Sequence, residues 1–277
     1  MSDAYDPEKD GAKMSYKNDM SYGDYLDMDN LVAAQRPLSS AHDEMLFIIQ
    51  HQTSELWMRL ILHEISAARP LIAAGKHNQA FKMLARVARI FEQLNNAWDV
   101  LRTMTPSDYS HFRDDLGASS GFQSHQYRLI EFMLGNRNTN MLQVHEHRPD
   151  LHARLAAELE KPSLYHVALN ALEVETGTTF APEVYRMNTP HESSDEIIAA
   201  WTKIYRAPEE HWVLYELAEK LVDLEDYFRR WRFNHVTTVE RVIGFRRGTG
   251  GTSGVKYLRR MLEVELFPEL WHMRGGL

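Results

Sequence analysis

The chain has 277 residues, enough for one large domain or two small ones, and its 44% hydrophobic and 25% charged residues suit a globular protein with a core. A net charge of −8 excludes a general binder of nucleic-acid backbones, which needs a basic face. The lack of cysteine excludes disulfides, iron–sulfur clusters, cysteine zinc sites and thiolate-bound or covalently attached haem, whereas 14 histidines leave imidazole ligation of iron or zinc open.

In chain order, residues 1 to about 20 are polar and acidic and read as a flexible arm, not a signal peptide. No apolar run approaches the ~18 residues of a membrane span, so the expected location is the cytoplasm, with no membrane partner. Tyr22, Tyr25, Leu26, Met28 and Leu31 follow as possible anchors. Ser40, with Asp43 three residues on, gives a capping-box pattern that opens a helix apolar on most sides. A second long helix is expected from Asn78 to Met104, broken at Thr105-Pro106. The stretch 107–123 reads as irregular, punctuated by Gly117 and Gly121. Further helices are expected over Phe122–Leu134, Asp150–Glu160 and Ser163–Glu173, then a poorly patterned connection over 174–193. A helix from Ser193 or Ser194 ends near Arg206, and the longest runs from about Glu209 to Phe245. Its stripe is Leu214, Leu217, Leu221, Leu224, Phe228, Trp231, His235, Thr238 and Val242, each step three or four residues. One or two helices close the chain at about Trp271. No alternating strand pattern, internal repeat or linker interrupts this order. The expectation is an all-α fold, with the arm followed by one helical-bundle domain over 21–277.

Several residues stand out chemically. His235 lies on the apolar stripe and His51 within an apolar helix, one turn after Phe47. Each reads as a metal ligand or, more ordinarily, as a core imidazole satisfied by hydrogen bonding. Arg113 sits between helices and is either solvated or a bidentate clamp on a carboxylate. The segment Gly248-Thr249-Gly250-Gly251-Thr252-Ser253-Gly254 is a backbone able to wrap a ligand, or a plain linker. It is not a phosphate loop, because no lysine stands at the required spacing and no strand precedes it. A di-iron site needs two Glu-x-x-His pairs, and only Glu269–His272 occurs. No H-E-x-x-H motif is present. From the residues alone, no reaction follows.

The segments SYGDYL, HDEMLFIIQHQTSELW, DYSHFRDDLGASSGFQS and RFNHVTTVERVIGFRRGTGGTSG, in this order, resemble the tryptophan 2,3-dioxygenase family from Tyr22 to about Arg274. The resemblance implies an all-α subunit holding one non-covalent haem b between its helices, acting on L-tryptophan and dioxygen as a homotetramer. It implies His235 as the proximal iron ligand and His51 as the distal histidine. Arg113 would pair with the substrate carboxylate, and Thr249 would contact its ammonium and carboxylate ends. Phe47, Tyr109, Ser120 and Gly121 match pocket positions, the last two beside the haem. Tyr22, Tyr25 and Leu26 match a segment that reaches a neighbouring subunit's pocket. The competing reading on the same fold is a non-catalytic haem-based sensor of gas or tryptophan.

Overall fold

A computed structural model describes residues 5–277 and divides at Leu38 into two compact units. Residues 1–4 of the expected arm lie outside the described residues. Within the first unit, a 3-10 turn over Pro7–Asp10 is followed by two single-turn helices, α1 (Tyr22–Leu26) and α2 (Met28–Val32). Ser21 caps α1 reciprocally with Asp24, and Asp27, in left-handed backbone at φ 52°, ends it and turns the chain into α2. Neither helix buries any of its residues. A single turn has too little apolar surface to close a core.

The second unit, residues 39–277, is built on three long helices: α3 (His42–Ala73), α4 (His77–Leu101) and α10 (Trp212–Val242). α4 packs on both α3 and α10. Ala80, Leu84, Val87, Phe91, Leu94, Trp98 and Leu101 recur every three or four residues and are all buried, so one face of α4 is committed to the core. The stripe read along α10 is buried at each position except His235, which borders a cavity. Phe91 and Phe228 join the two helices with ring centroids 5.2 Å apart. Each such fully buried side chain contributes on the order of 1.5–3 kcal/mol. Shorter helices cover this core: α5 (Pro106–Ser110), α6 (His125–Leu134), α7 (Pro149–Leu159), α8 (Leu164–Thr176), α9 (Asp195–Arg206), α11 (Val255–Met261) and α12 (Pro268–His272). Buried Glu225 on α10 fixes the last segment, accepting from the backbone N–H of Leu266 and Phe267 at 2.8 and 2.9 Å and from Trp271 Nε1 at 2.9 Å. Among the described residues there is no strand, and the all-α expectation is borne out.

Several boundaries differ from expectation. Ser40 does not cap α3: the helix begins at His42, and Ser39 instead donates its backbone N–H and hydroxyl to Glu44 at 2.8 and 2.6 Å. α4 stops at Leu101, three residues short of Met104. The cause is Thr105, which caps α5 reciprocally with Asp108 and places Pro106 in its first turn, so Thr105-Pro106 starts a helix. α6 starts at His125 rather than Phe122, because Ser124 accepts from the Tyr127 N–H. α10 is shorter at both ends than Glu209–Phe245. No helix is long and apolar enough to cross a membrane among the described residues.

Candidate functional site

α3, α10 and two loops enclose a cavity in the second unit, with about 1590 Å³ of empty space when the open solvent at its mouth is included. α3 contributes Phe47, His51, Ser54, Glu55 and Met58, which share one face by their three- and four-residue spacing. α10 contributes Trp231, His235, Thr238 and Val242 from the stripe.

The two histidines differ in their partners. The Nδ1 of His51 lies 2.7 Å from the carbonyl oxygen of Phe47. A carbonyl only accepts, so Nδ1 carries the hydrogen and Nε2 keeps its lone pair in the neutral ring. Burial lowers the His51 pKa, opposed in part by that carbonyl and by Glu55. Behind His51, the rings of Phe47, Tyr109 and Phe112 form a cluster with centroids 5.4 to 6.0 Å apart. His235 is held by rings instead. Trp98 of α4 stacks on it at 5.0 Å and 19°, and Trp231 lies 5.6 Å away. Burial, and secondarily His51, pushes the His235 pKa down to about 4. The imidazole is therefore neutral at physiological pH, the form that ligates iron.

The mouth is polar. Arg113 follows α5 and donates Nη2 to the Arg247 carbonyl at 3.0 Å. Its Nε is buried without a hydrogen-bond partner among the described residues. A guanidinium with a buried unpaired N–H is a donor suited to a carboxylate brought by a ligand. The glycine-rich segment lies against the loop at 118–121: the Thr249 hydroxyl donates to the Ser119 carbonyl, and a Cβ at Gly250 would come within 2.7 Å of Ser120 Cβ. Any side chain at position 250 would force these two loops apart. At Gly254, φ is +61° and a Cβ would sit 2.4 Å from the Arg246 carbonyl oxygen, so that turn also needs glycine.

Phe47, His51, Tyr109, Arg113, Ser120, Gly121, His235 and Thr249 thus all line one cavity. Tyr22, Tyr25 and Leu26 belong to the first unit, on α1, and are exposed. Sequence reading did not single out Trp98, Tyr127, Arg128 or Arg232, which also line the cavity. Trp231 was legible as a stripe residue one turn before His235, whereas no local signal pairs Trp98 with a histidine in another helix. The indole and guanidinium groups on this wall are held by tertiary contacts. Buried Glu131 accepts from Arg232 at 2.9 Å and from Arg128, and Tyr127 OH lies 3.3 Å from the same carboxylate.

Comparison with known proteins agrees with the motifs. The family model described as Tryptophan 2,3-dioxygenase matches residues 7–186 and 186–277. A Ruegeria pomeroyi protein named Tryptophan 2,3-dioxygenase is 75% identical over the full length of both chains. Proteins of the same name from a second Ruegeria strain and from a Bradyrhizobium strain are 64% and 65% identical, again over the whole of both chains. The chain belongs to the tryptophan 2,3-dioxygenase family.

Proposed function

We propose that the chain is a haem-dependent dioxygenase that adds both atoms of dioxygen across the indole 2,3 bond of L-tryptophan, giving N-formyl-L-kynurenine. The observation that carries this reading is the convergence on one cavity of two neutral imidazoles and an Arg113 Nε that is unpaired among the described residues. The donor set fits one haem b per subunit. His235 is a neutral nitrogen donor flanked by two indole rings, and no cysteine competes with it. His235 would hold the iron, with Ser120 and Gly121 at the porphyrin edge. Haem supplies activation of dioxygen when bound.

The other residues place the substrate. Indole N–H is a donor only, and the Nε2 lone pair of His51 is the acceptor that fits it. Because indole N–H is a very weak acid, His51 orients the ring rather than deprotonating it. Phe47 and Tyr109 provide aromatic walls for the flat apolar body. Arg113 pairs with the carboxylate, and Thr249, whose hydroxyl proton is used on Ser119, offers its lone pairs to the ammonium. Fixing both ends of the amino acid brings the 2,3 bond into a near-attack position, where most of the protein's contribution lies. Tyr22, Tyr25 and Leu26 would complete the pocket of a neighbouring subunit in a cytoplasmic homotetramer. A sensor of dioxygen alone has no use for the Arg113–Thr249 pair. The deciding assay mixes anaerobic ferrous enzyme with L-tryptophan and then air. Absorbance of N-formylkynurenine is expected to grow with turnover, and haem-loaded protein that produces none would leave only the sensor reading.

A further inference from the structure

Beside the cavity, the last two turns of α4 grip α10 at the residues flanking His235. Asn95, Trp98 and Arg102 are three and four residues apart and share one face of α4. Asn234 donates its amide Nδ2 to Asn95 Oδ1 at 2.9 Å. Asn95 in turn donates to the carbonyls of Phe91 at 2.9 Å and Tyr227 at 3.1 Å, so its own orientation is fixed. Trp98 stacks on the His235 ring. Arg102 completes the row. Its Nε donates to Thr238 Oγ1 at 2.9 Å, and its Nη2 donates to Asn234 Oδ1 at 3.2 Å and to Thr237 Oγ1. α10 answers in kind, with Arg241 Nε donating to the Arg102 carbonyl at 3.1 Å.

Apolar packing alone is non-directional and leaves a helix some freedom to roll or slide. A planar fork anchored on residues 234, 237 and 238 removes that freedom at the turn that carries His235. We propose that Arg102, with the Asn95–Asn234 amide pair, is a positioning group for His235, setting the roll and register of α10 so that the imidazole meets the iron at a fixed angle. This inference rests on the reading of His235 as the iron ligand. The plainer role for Arg102 is to cap the C-terminal end of α4, where a cation is favoured by the helix dipole. That role affects stability but not the iron–imidazole bond.

The two roles separate spectroscopically. In the ferrous full-length enzyme, Arg102→Leu and Asn95→Leu are expected to shift or broaden the iron–histidine stretching band in resonance Raman spectra. They are also expected to release haem to an apoglobin acceptor about 10–100-fold faster, with far-ultraviolet circular dichroism retained. Arg102→Lys is expected to fall between wild type and Arg102→Leu, since an ammonium cannot serve Thr238 and Asn234 together. If the leucine variants do not fold, Thr237→Val and Thr238→Val remove the fork's acceptors with little change in shape. The same band shift, smaller in size, is expected from them. A wild-type band and wild-type release rate in folded variants, whatever their melting temperature, would overturn the proposal. His235→Ala is the control: if it keeps haem and the band, the ligand assignment fails and not the clamp.

Discussion

At the scale of single residues, Arg113 carries the most specific chemistry at the mouth of the cavity. Its guanidinium is anchored on the Arg247 carbonyl, yet its buried Nε donates to nothing among the described residues. Pairing with a substrate carboxylate would satisfy it. Arg113→Ala is expected to raise KM for L-tryptophan by on the order of 2–4 kcal/mol, with the haem spectrum intact. Lysine at this position restores the charge but not the fork, so it is expected to recover little. An unchanged KM in the alanine variant would remove Arg113 from substrate binding. His51 makes a second prediction. Burial lowers its pKa below the usual histidine range, and only the neutral ring can accept the indole N–H. The acid limb of kcat/KM should therefore lie below about pH 6.5, the free histidine value. A limb at or above that value would mean that His51 is not the group being titrated, or is not buried during turnover. Both residues were legible in the sequence through family motifs. Their roles were not legible from spacing, since Arg113 stands in an irregular stretch and His51 looks like any core histidine. Trp98 was invisible for a different reason: it meets His235 only through the packing of α4 on α10.

At the scale of elements, long periodic segments were easy to read and short ones were not. The three- and four-residue stripes of α4 and α10 commit one face each to the core, and tertiary packing agrees with them. α1, α2 and α5 are single turns with no stripe to detect, and of them α1 and α5 are held by capping boxes. Thr105-Pro106 was legible as a break but not as a start, because proline is tolerated in a helix's first turn as well as beyond its end. The start of α8 makes an electrostatic prediction. Ser163 caps it with His166 as the reciprocal partner, and His166 Nδ1 accepts the Ser163 backbone N–H at 3.1 Å. Acceptance requires a neutral ring. Burial first, and then Arg137, push the His166 pKa from 6.5 down to about 4. Between those values the unfolded chain binds a proton that the folded chain does not, so stability rises with pH across that window. The contribution is complete above pH 6.5 and is lost as pH falls towards 4, with a total on the order of 3 kcal/mol. His166→Gln keeps the capping acceptor and removes the titration. Its denaturant midpoint is expected to vary less between pH 4 and 6.5 than that of wild type, and equal slopes would exclude His166 as the source.

At the scale of the whole molecule, assembly is the open physical quantity. α1 exposes Tyr22 and Tyr25 at 76% each and buries nothing, an arrangement that a neighbouring chain's pocket would relieve. On the proposed homotetramer, light scattering should give about four times the chain mass of 32.2 kDa. Tyr22→Ala and Tyr25→Ala are expected to weaken L-tryptophan binding without changing iron ligation. A monomeric mass in an active enzyme would remove the neighbouring-subunit role of α1.

The two walls of the cavity come from opposite ends of the chain, His51 from its first quarter and His235 from its last. On the proposed reading, a ribosome would complete most of the polypeptide before both walls of a porphyrin site exist. A nascent fragment ending ahead of α10 would offer one wall without His235, the proposed iron ligand. Loading would then follow synthesis of α10, and pigment supply would decide how much of the product is shielded. If the pigment binds only the folded form, each tenfold rise in free pigment above its dissociation constant adds about 1.4 kcal/mol against the unfolding that proteases exploit.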